Sequence, residues 1–226
     1  MYKYETHLHT SPVSKCARAD VREVLELYKS MGYEGIFLTN HFLDGNINID
    51  RNLPYEERIA FYFSDYEKAK ELEKEIGIAV FCGLELSYRG TDFLIYGLDK
   101  EWLLKNPQIM DMSKKEELAY LASQGALVIH AHPYRESGHI DHIRLFPRSV
   151  HGVEVINANR NELENSMAEH YAKSYGLLEF AGSDNHVGAA QKRFAGMMSD
   201  TPIVDEVDFV ERVKKGELKT FFFERD

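Results

Sequence analysis

Five apolar, β-branched or aromatic runs in this 226-residue chain end in histidine or carboxylate, and that recurrence constrains the fold more than any other feature. The first, Tyr4-Glu5-Thr6-His7-Leu8-His9-Thr10, reads as a strand, whose two-residue side-chain period turns His7 and His9 to one face. The others lead to Asn40-His41, Gly83-Leu84-Glu85, His130-Ala131-His132-Pro133 and Gly182-Ser183-Asp184-Asn185-His186. Helical patterns separate the runs, which predicts a parallel sheet or a barrel. Functional groups in such folds gather at the C-terminal ends of strands. All five stations obey that rule, and scattered core histidines have no reason to.

Val24, Leu25, Leu27, Tyr28 and Met31 fall at helical spacing between an N-cap, Asp20, and a C-cap, Gly32. Residues 35–39 read as a buried strand that delivers His41. Ser64 and Glu67 form a capping-box pattern, predicted to open a charged helix ending near Gly77. Residues 78–84 form a strand with Glu85 at its end, and 92–98 a further apolar run. The capping-box pattern recurs at Ser113 and Glu116, opening a helix stopped by Gly125, and 126–129 leads to His130 and His132. Residues 153–156 are a strand, 162–175 a helix stopped by Gly176, and 177–181 the run before Asp184 and His186. An amphipathic helix over 205–215 precedes a closing strand over 219–223. The polar segment 43–54 reads as a loop over the site or an insertion. No repeat or linker divides the chain, so residues 1–226 are expected to form one domain.

The net charge of −10 argues against a nucleic-acid partner. Cys16 and Cys82 are too few for a disulfide framework, and Cys82 reads as a small buried side chain. No apolar run approaches the ~18 residues of a membrane span, and the charged N-terminus lacks a signal-peptide core. A cytoplasmic protein with no membrane partner is expected. Oligomeric state is left open.

The order His7-x-His9, His41, Glu85, His132-Pro133 and Asp184-x-His186 resembles the polymerase-and-histidinol-phosphatase (PHP) superfamily, over residues 7 to 186. The resemblance implies an α/β fold, a distorted, TIM-like (β/α)7 barrel with its active site at the C-terminal strand ends. It also implies two or three divalent metal ions, zinc, manganese or iron, and hydrolysis of phosphate monoesters or diesters. Position by position, it implies His7, His9, Glu85 and Asp184 as ligands of a first metal. Glu85 would bridge to a second, bound also by His132, and His41 and His186 would serve a third. Two stretches depart from the family pattern. Where an acid or histidine follows the His-x-His pair, this chain has Ser11-Pro12-Val13-Ser14-Lys15, which weakens the third site or leaves it to water. Where a histidine follows the Glu station, it has Thr91-Asp92-Phe93-Leu94; Asp92 and His130 are the alternatives for that ligand.

Phosphate esters resist attack because their anionic oxygens repel nucleophiles. Two metals about 3.5–4 Å apart neutralise that charge and acidify water, and a mixed histidine–carboxylate set suits them. The expected activity is hydrolysis of a phosphate monoester of a small metabolite, with metal-activated hydroxide as nucleophile. Glu85, Asp184 and His186 are the expected catalytic residues. Arg135, in His-Pro-Tyr-Arg, is the expected phosphate grip, ahead of Lys15, Arg160 and Arg193. A nuclease or phosphodiesterase of the same superfamily is one alternative, and a catalytically silent metal-stabilised regulatory module another. Asn157 and Asn159 read as substrate contacts of low prior. His139 and His142 read as a polar loop, and His151 and His170 as structural. Glu154 falls mid-strand and is not counted in the site.

Overall fold

Among the residues described by the structure, a computed structural model covering 1–225, nine strands share one sheet. Asp226, the last residue of the expected domain, lies outside them. The strands are β1 (Tyr2–Glu5), β2 (Gly35–Leu38), β3 (Ala79–Tyr88), β4 (Thr91–Tyr96), β5 (Leu127–Ala131), β6 (Gly152–Asn157), β7 (Leu178–Gly182), β8 (Arg193–Ser199) and β9 (Lys219–Glu224). They pair in the order β7-β6-β5-β4-β3-β2-β1-β8-β9, and β7 also packs against β8. The sheet thereby nearly closes into a distorted TIM-like barrel. The distortion lies in β4 and β8, which run against their neighbours. The expected parallel order is interrupted at those two strands.

The helices are α1 (Val21–Ser30), α2 (Tyr55–Ile76), α3 (Lys100–Lys105), α4 (Lys114–Ser123), α5 (Glu162–Tyr175) and α6 (Glu206–Lys214). Asp20 caps α1 by accepting from Glu23 N at 3.0 Å, and both α4 and α5 start with complete capping boxes. α6 sends Phe209, Val210 and Val213 into an apolar cluster with Tyr4, Phe37, Phe81, Tyr96 and Phe180. Phe37 lies 4.8 Å from Phe81 and 4.2 Å from Phe209, centroid to centroid. Each buried aromatic adds about 1.5–3 kcal/mol. Several of these residues precede the histidine and carboxylate stations along their strands, so an apolar floor lies beneath the site. Among the described residues, no helix is long and apolar enough to cross a membrane.

Three local expectations are corrected. The strand read through Thr10 ends at Glu5, because the Glu5 carboxylate itself takes the N–H of Thr6 (2.9 Å) and of His7 (2.8 Å). A single bridge, Leu8 to Asn185, keeps the segment against the end of β7. Helix α2 opens after Pro54, with Glu56 and Glu57 in its first turn, rather than at Ser64. Ser64 sits mid-helix, where its hydroxyl donates to Phe61 O at 2.7 Å. Glu85 lies inside β3, which continues to Tyr88 as a hairpin with β4. The sequence reading also missed α3 and β8.

Candidate metal centre

The five stations converge. His7 Nε2 lies 3.3 Å from Glu85 Oε1 and 3.4 Å from Asp184 Oδ1. His9 Nε2 is 3.4 Å from Glu85 Oε2 and 3.4 Å from Asp184 Oδ1. His132 Nε2 is 3.4 Å from Glu85 Oε1, and His41 Nδ1 is 2.6 Å from Glu85 Oε2. Three ligand sets overlap: His7, Glu85 and His132; His7, His9 and Asp184; and His9, His41 and His186. In each, the ligand atoms lie within 4.8 Å of one another. The structure therefore brings together His7, His9, His41, Glu85, His132, Asp184 and His186, and adds His9 to the expected third set. The backbone takes positive φ at His132 (24°) and Asp184 (52°), conformations costing about 1–3 kcal/mol each and typical of functional sites.

Hydrogen bonds fix which nitrogen of each ring is free. His7 Nδ1 is 2.8 Å from Glu154 Oε1, an acceptor, so Nδ1 carries a proton and Nε2 is the nitrogen left for a cation. His9 Nδ1 meets Ser14 Oγ at 3.1 Å, and that hydroxyl already gives its proton to Asn40 Oδ1 at 2.7 Å. His9 Nδ1–H is thus the donor, and its Nε2 is free. His186 Nδ1 donates to Asp184 O at 2.9 Å. In the inner cluster, imidazole Nε2 atoms then face carboxylate oxygens at 3.3–3.4 Å without forming a hydrogen bond among the described residues. Accordingly, His7 Nε2, His9 Nε2, His41 Nδ1, Glu85 Oε2 and Asp92 Oδ2 are buried with no hydrogen-bond partner among the described residues. Such a constellation calls for cations. A nitrogen–oxygen donor set of this kind fits divalent zinc, manganese or iron.

The electrostatics show how strongly the cluster draws positive charge: burial pulls His7 down, yet Glu154, Asp184 and Glu85 together raise it well above its ordinary value, so that without a cation Nε2 favours a proton of its own. Burial opposes ionisation of Glu85 and Asp184, but the histidines around them hold both well below the usual carboxylate range. Burial, with His186 and His41 nearby, holds His9 far down and hence neutral.

Sequence reasoning missed the groups that brace this centre. Glu154, fully buried, receives His7 Nδ1–H through one oxygen; the other accepts His132 N (2.9 Å) and Asn157 Nδ2 (2.9 Å). One carboxylate thus orients two of the candidate ligand histidines, as outer-shell partners of metal ligands do. A Cβ on Gly182 would fall 2.4 Å from His7 Cβ and 2.8 Å from Glu154 Oε1, so the pairing needs glycine there. Glu5 Oε1 accepts Thr6, His7 and Ser183 N–H, fastening β1 to β7, and burial pushes its carboxyl up to about 7. Asn157 and Asn159 both reach Asp184: Asn157 Nδ2 lies 3.3 Å from its Oδ2, and Asn159 Nδ2 donates to its carbonyl. The buried acids were hidden because each is mid-strand or precedes the recognised motif.

A cleft of about 540 Å³ opens over the cluster, lined by Cys16, His41, Arg89, Asp92, Arg135 and His186 among others. Arg135 Nη2 pairs with Asp92 Oδ2 at 3.1 Å, and that oxygen is 3.9 Å from His132 Nε2. Burial raises the Cys16 thiol, but hydrogen bonds from His186 and His41 bring it down to about 6. His130 lies apart from the seven: its ring stacks on Phe93 at 5.1 Å, between Phe146 and Tyr171. Burial pushes it down to about 3. The strand ends at Ala131 and the positive φ of His132 turns the next side chain away from it. Arg160 and Arg193 line a different groove, beside Glu162 and Glu179. His139 reaches the cleft, whereas His151 accepts from Val128 N and His170 bonds Ser166 O within α5.

The PHP_C model, PHP-associated, matches residues 162–218, from α5 to the threshold of β9. A two-domain protein of Bacteroides vulgatus containing a predicted PHP-like metal-dependent phosphoesterase superposes on 99% of this chain, with a TM-score of 0.73 at 14% identity. The chain thus shares the fold of a PHP-like protein, and its C-terminal part matches a PHP-associated family model. It spans 65% of the length of that two-domain relative. An amidohydrolase of Chromobacterium violaceum shares the fold at 13% identity and a TM-score of 0.54, over 96% of this chain and 97% of that one. An uncharacterized protein of Methanocaldococcus jannaschii is 27% identical over 177 residues, 74% of this chain and 88% of the relative. Phosphoesterase and amidohydrolase neighbours on one fold make the bond cleaved a matter for the site, not the barrel.

Proposed function

We propose that this chain is a PHP-type cytoplasmic hydrolase that removes phosphate from a small phosphorylated metabolite, with two or three divalent ions held by the histidine–carboxylate cluster. The reading rests above all on imidazole nitrogens with no hydrogen-bond partner facing carboxylate oxygens in a buried cluster under an open cleft. His7, His9, Glu85 and Asp184 would hold one ion, Glu85 and His132 a second, and His9, His41 and His186 a third. When bound, such ions would neutralise phosphate oxygens and lower the pKa of water.

The chain's own groups supply the rest. Glu154 and Ser14 keep the Nε2 lone pairs of His7 and His9 aimed inward. Arg135, held toward the cleft by Asp92, would clamp two phosphate oxygens and orient the ester. His186, partly exposed at the cleft wall with Nδ1 tied to Asp184 O, is the ring placed to return a proton to the leaving oxygen in a two-ion form. The acidic chain and the compact cleft favour a small monoester over a nucleic acid. Prolonged chelation should abolish turnover on a panel of monophosphates, and manganese or zinc should restore it. Unchanged turnover in excess chelator, or cleavage only of oligonucleotides or amides, would overturn the assignment.

A further inference from the structure

The rim loop that carries His41 is seated by an ion triad that the proposed chemistry leaves unused. Lys114, the first residue of α4, holds its Nζ 2.7 Å from Asp44 Oδ2 and 2.6 Å from Glu117 Oε2, with its side chain only 8% exposed. Asp44 follows His41 in the loop, and its other oxygen accepts Ser87 N at 3.1 Å. Phe42 N donates to Glu85 O at 2.9 Å, so the loop is tied to β3 at Glu85 and again at Ser87. Asp44, Gly45 and Asn46 line the cleft together with His41. A Cβ on Gly45 would fall 2.9 Å from Ser87 Oγ and 3.1 Å from His41 Cβ, so this segment lies flush against both the hairpin and the stem of the ring.

Neither the helix nor the packing accounts for the lysine. A cation in the first turn opposes the helix dipole, which Glu116 and Glu117 suit and Lys114 does not. Burying an ammonium between carboxylates costs desolvation that apolar side chains of similar volume would not incur. Beside the triad, a cavity of about 270 Å³ lined by Ile109, Met110 and Met112 reaches Asp44 and Ser87, so van der Waals contact gives the loop little backing there. We propose that Lys114 is a positioning residue for the cleft: through Asp44 it holds segment 41–46 on the β3–β4 hairpin and thereby sets where His41 stands. The inference rests on the metal-dependent reading above, and its test separates the two.

Two full-length variants are compared with wild type after chelator treatment: Lys114→Met, and Asp44→Asn/Lys114→Met/Glu117→Gln, which leaves no unpaired charge should the single change fail to fold. Hydrogen exchange read by mass spectrometry should be about tenfold faster in the peptide spanning 41–48 and unchanged in β6 and α5. Isothermal titration with zinc should show the weakest equivalent about tenfold weaker and the tightest unchanged. Wild-type exchange at 41–48, or wild-type affinity for the weakest zinc, in the folded variants overturns the positioning role. Exchange raised equally in β6 and α5 makes the triad a general prop of the fold and overturns it as well. Zinc failing to bind wild type overturns the metal-dependent reading, and the exchange measurement on metal-free chain still decides whether Lys114 seats the loop.

Discussion

The inner and outer halves of the centre are built differently. Inside, His7 and His132 are both oriented by the buried Glu154, and Asp184 is held by Asn157 and Asn159. At the rim, His41, His186 and Cys16 stand on loops, and Arg135 leans on Asp92 across the cleft. The inner geometry is fixed by protein-to-protein hydrogen bonds, so an ion entering there meets a prepared site. The rim has fewer such ties and relies more on what binds it. A site of this kind should lose everything when an inner ligand goes and only part of its function when a rim group goes.

The largest effect is expected for Glu85→Gln, which removes a charge shared by His7, His9, His41 and His132. Tight metal binding and turnover should both vanish; a variant that keeps full metal content and rate would erase the distinction between inner and outer groups.

Next is Glu5, on the inner side. Its folded carboxyl is raised from 4.5 to about 7, so the folded state prefers it protonated. Its contribution is complete below about pH 4.5 and is lost as pH climbs through 7, amounting to about 3 kcal/mol. Glu117, also raised to about 7 by burial, and the raised histidines His7, His41 and His186 contribute in the same window, so the difference between wild type and Glu5→Gln isolates Glu5. In metal-free protein, urea midpoints should fall more steeply between about pH 5 and 8 for wild type than for Glu5→Gln; equal slopes would refute it.

Glu154→Gln should follow, weakening metal affinity or activity about 10–100-fold, because the amide can still accept one bond but no longer steadies both histidines as an anion. Isothermal titration with zinc measures it directly. The smallest effect belongs to the rim: Arg135→Ala should raise KM for a monophosphate by about tenfold with little change in metal content, the scale of one charge-assisted pair. A change in metal stoichiometry there would merge rim and centre into one unit.

Most of the order of elements and the convergence of the seven candidate ligand residues were legible because apolar runs and their terminating polar residues are local signals. Direction was not: nothing in residues 92–96 or 193–199 announces that those strands run backwards, since period and composition are the same either way. The Ser64–Glu67 pattern misled because the same four-residue spacing occurs inside helices as well as at their starts. Glu154 stayed hidden because its partner His7 is 147 positions away and a mid-strand acid carries no mark of what it faces inside a barrel. Cys16 was set aside in a count of disulfides, a question of pairs, whereas its surroundings are imidazoles.

Gly182 gives the arrangement an unusual point of vulnerability. Where β7 ends, the absence of a single methyl group lets the backbone lie flush against the residue that opens the cluster. An alanine there would act as a wedge, displacing a ring on β1's extension and the acid behind it while leaving every ligand atom chemically intact. Control over the chemistry thus extends to a position that has no functional group of its own.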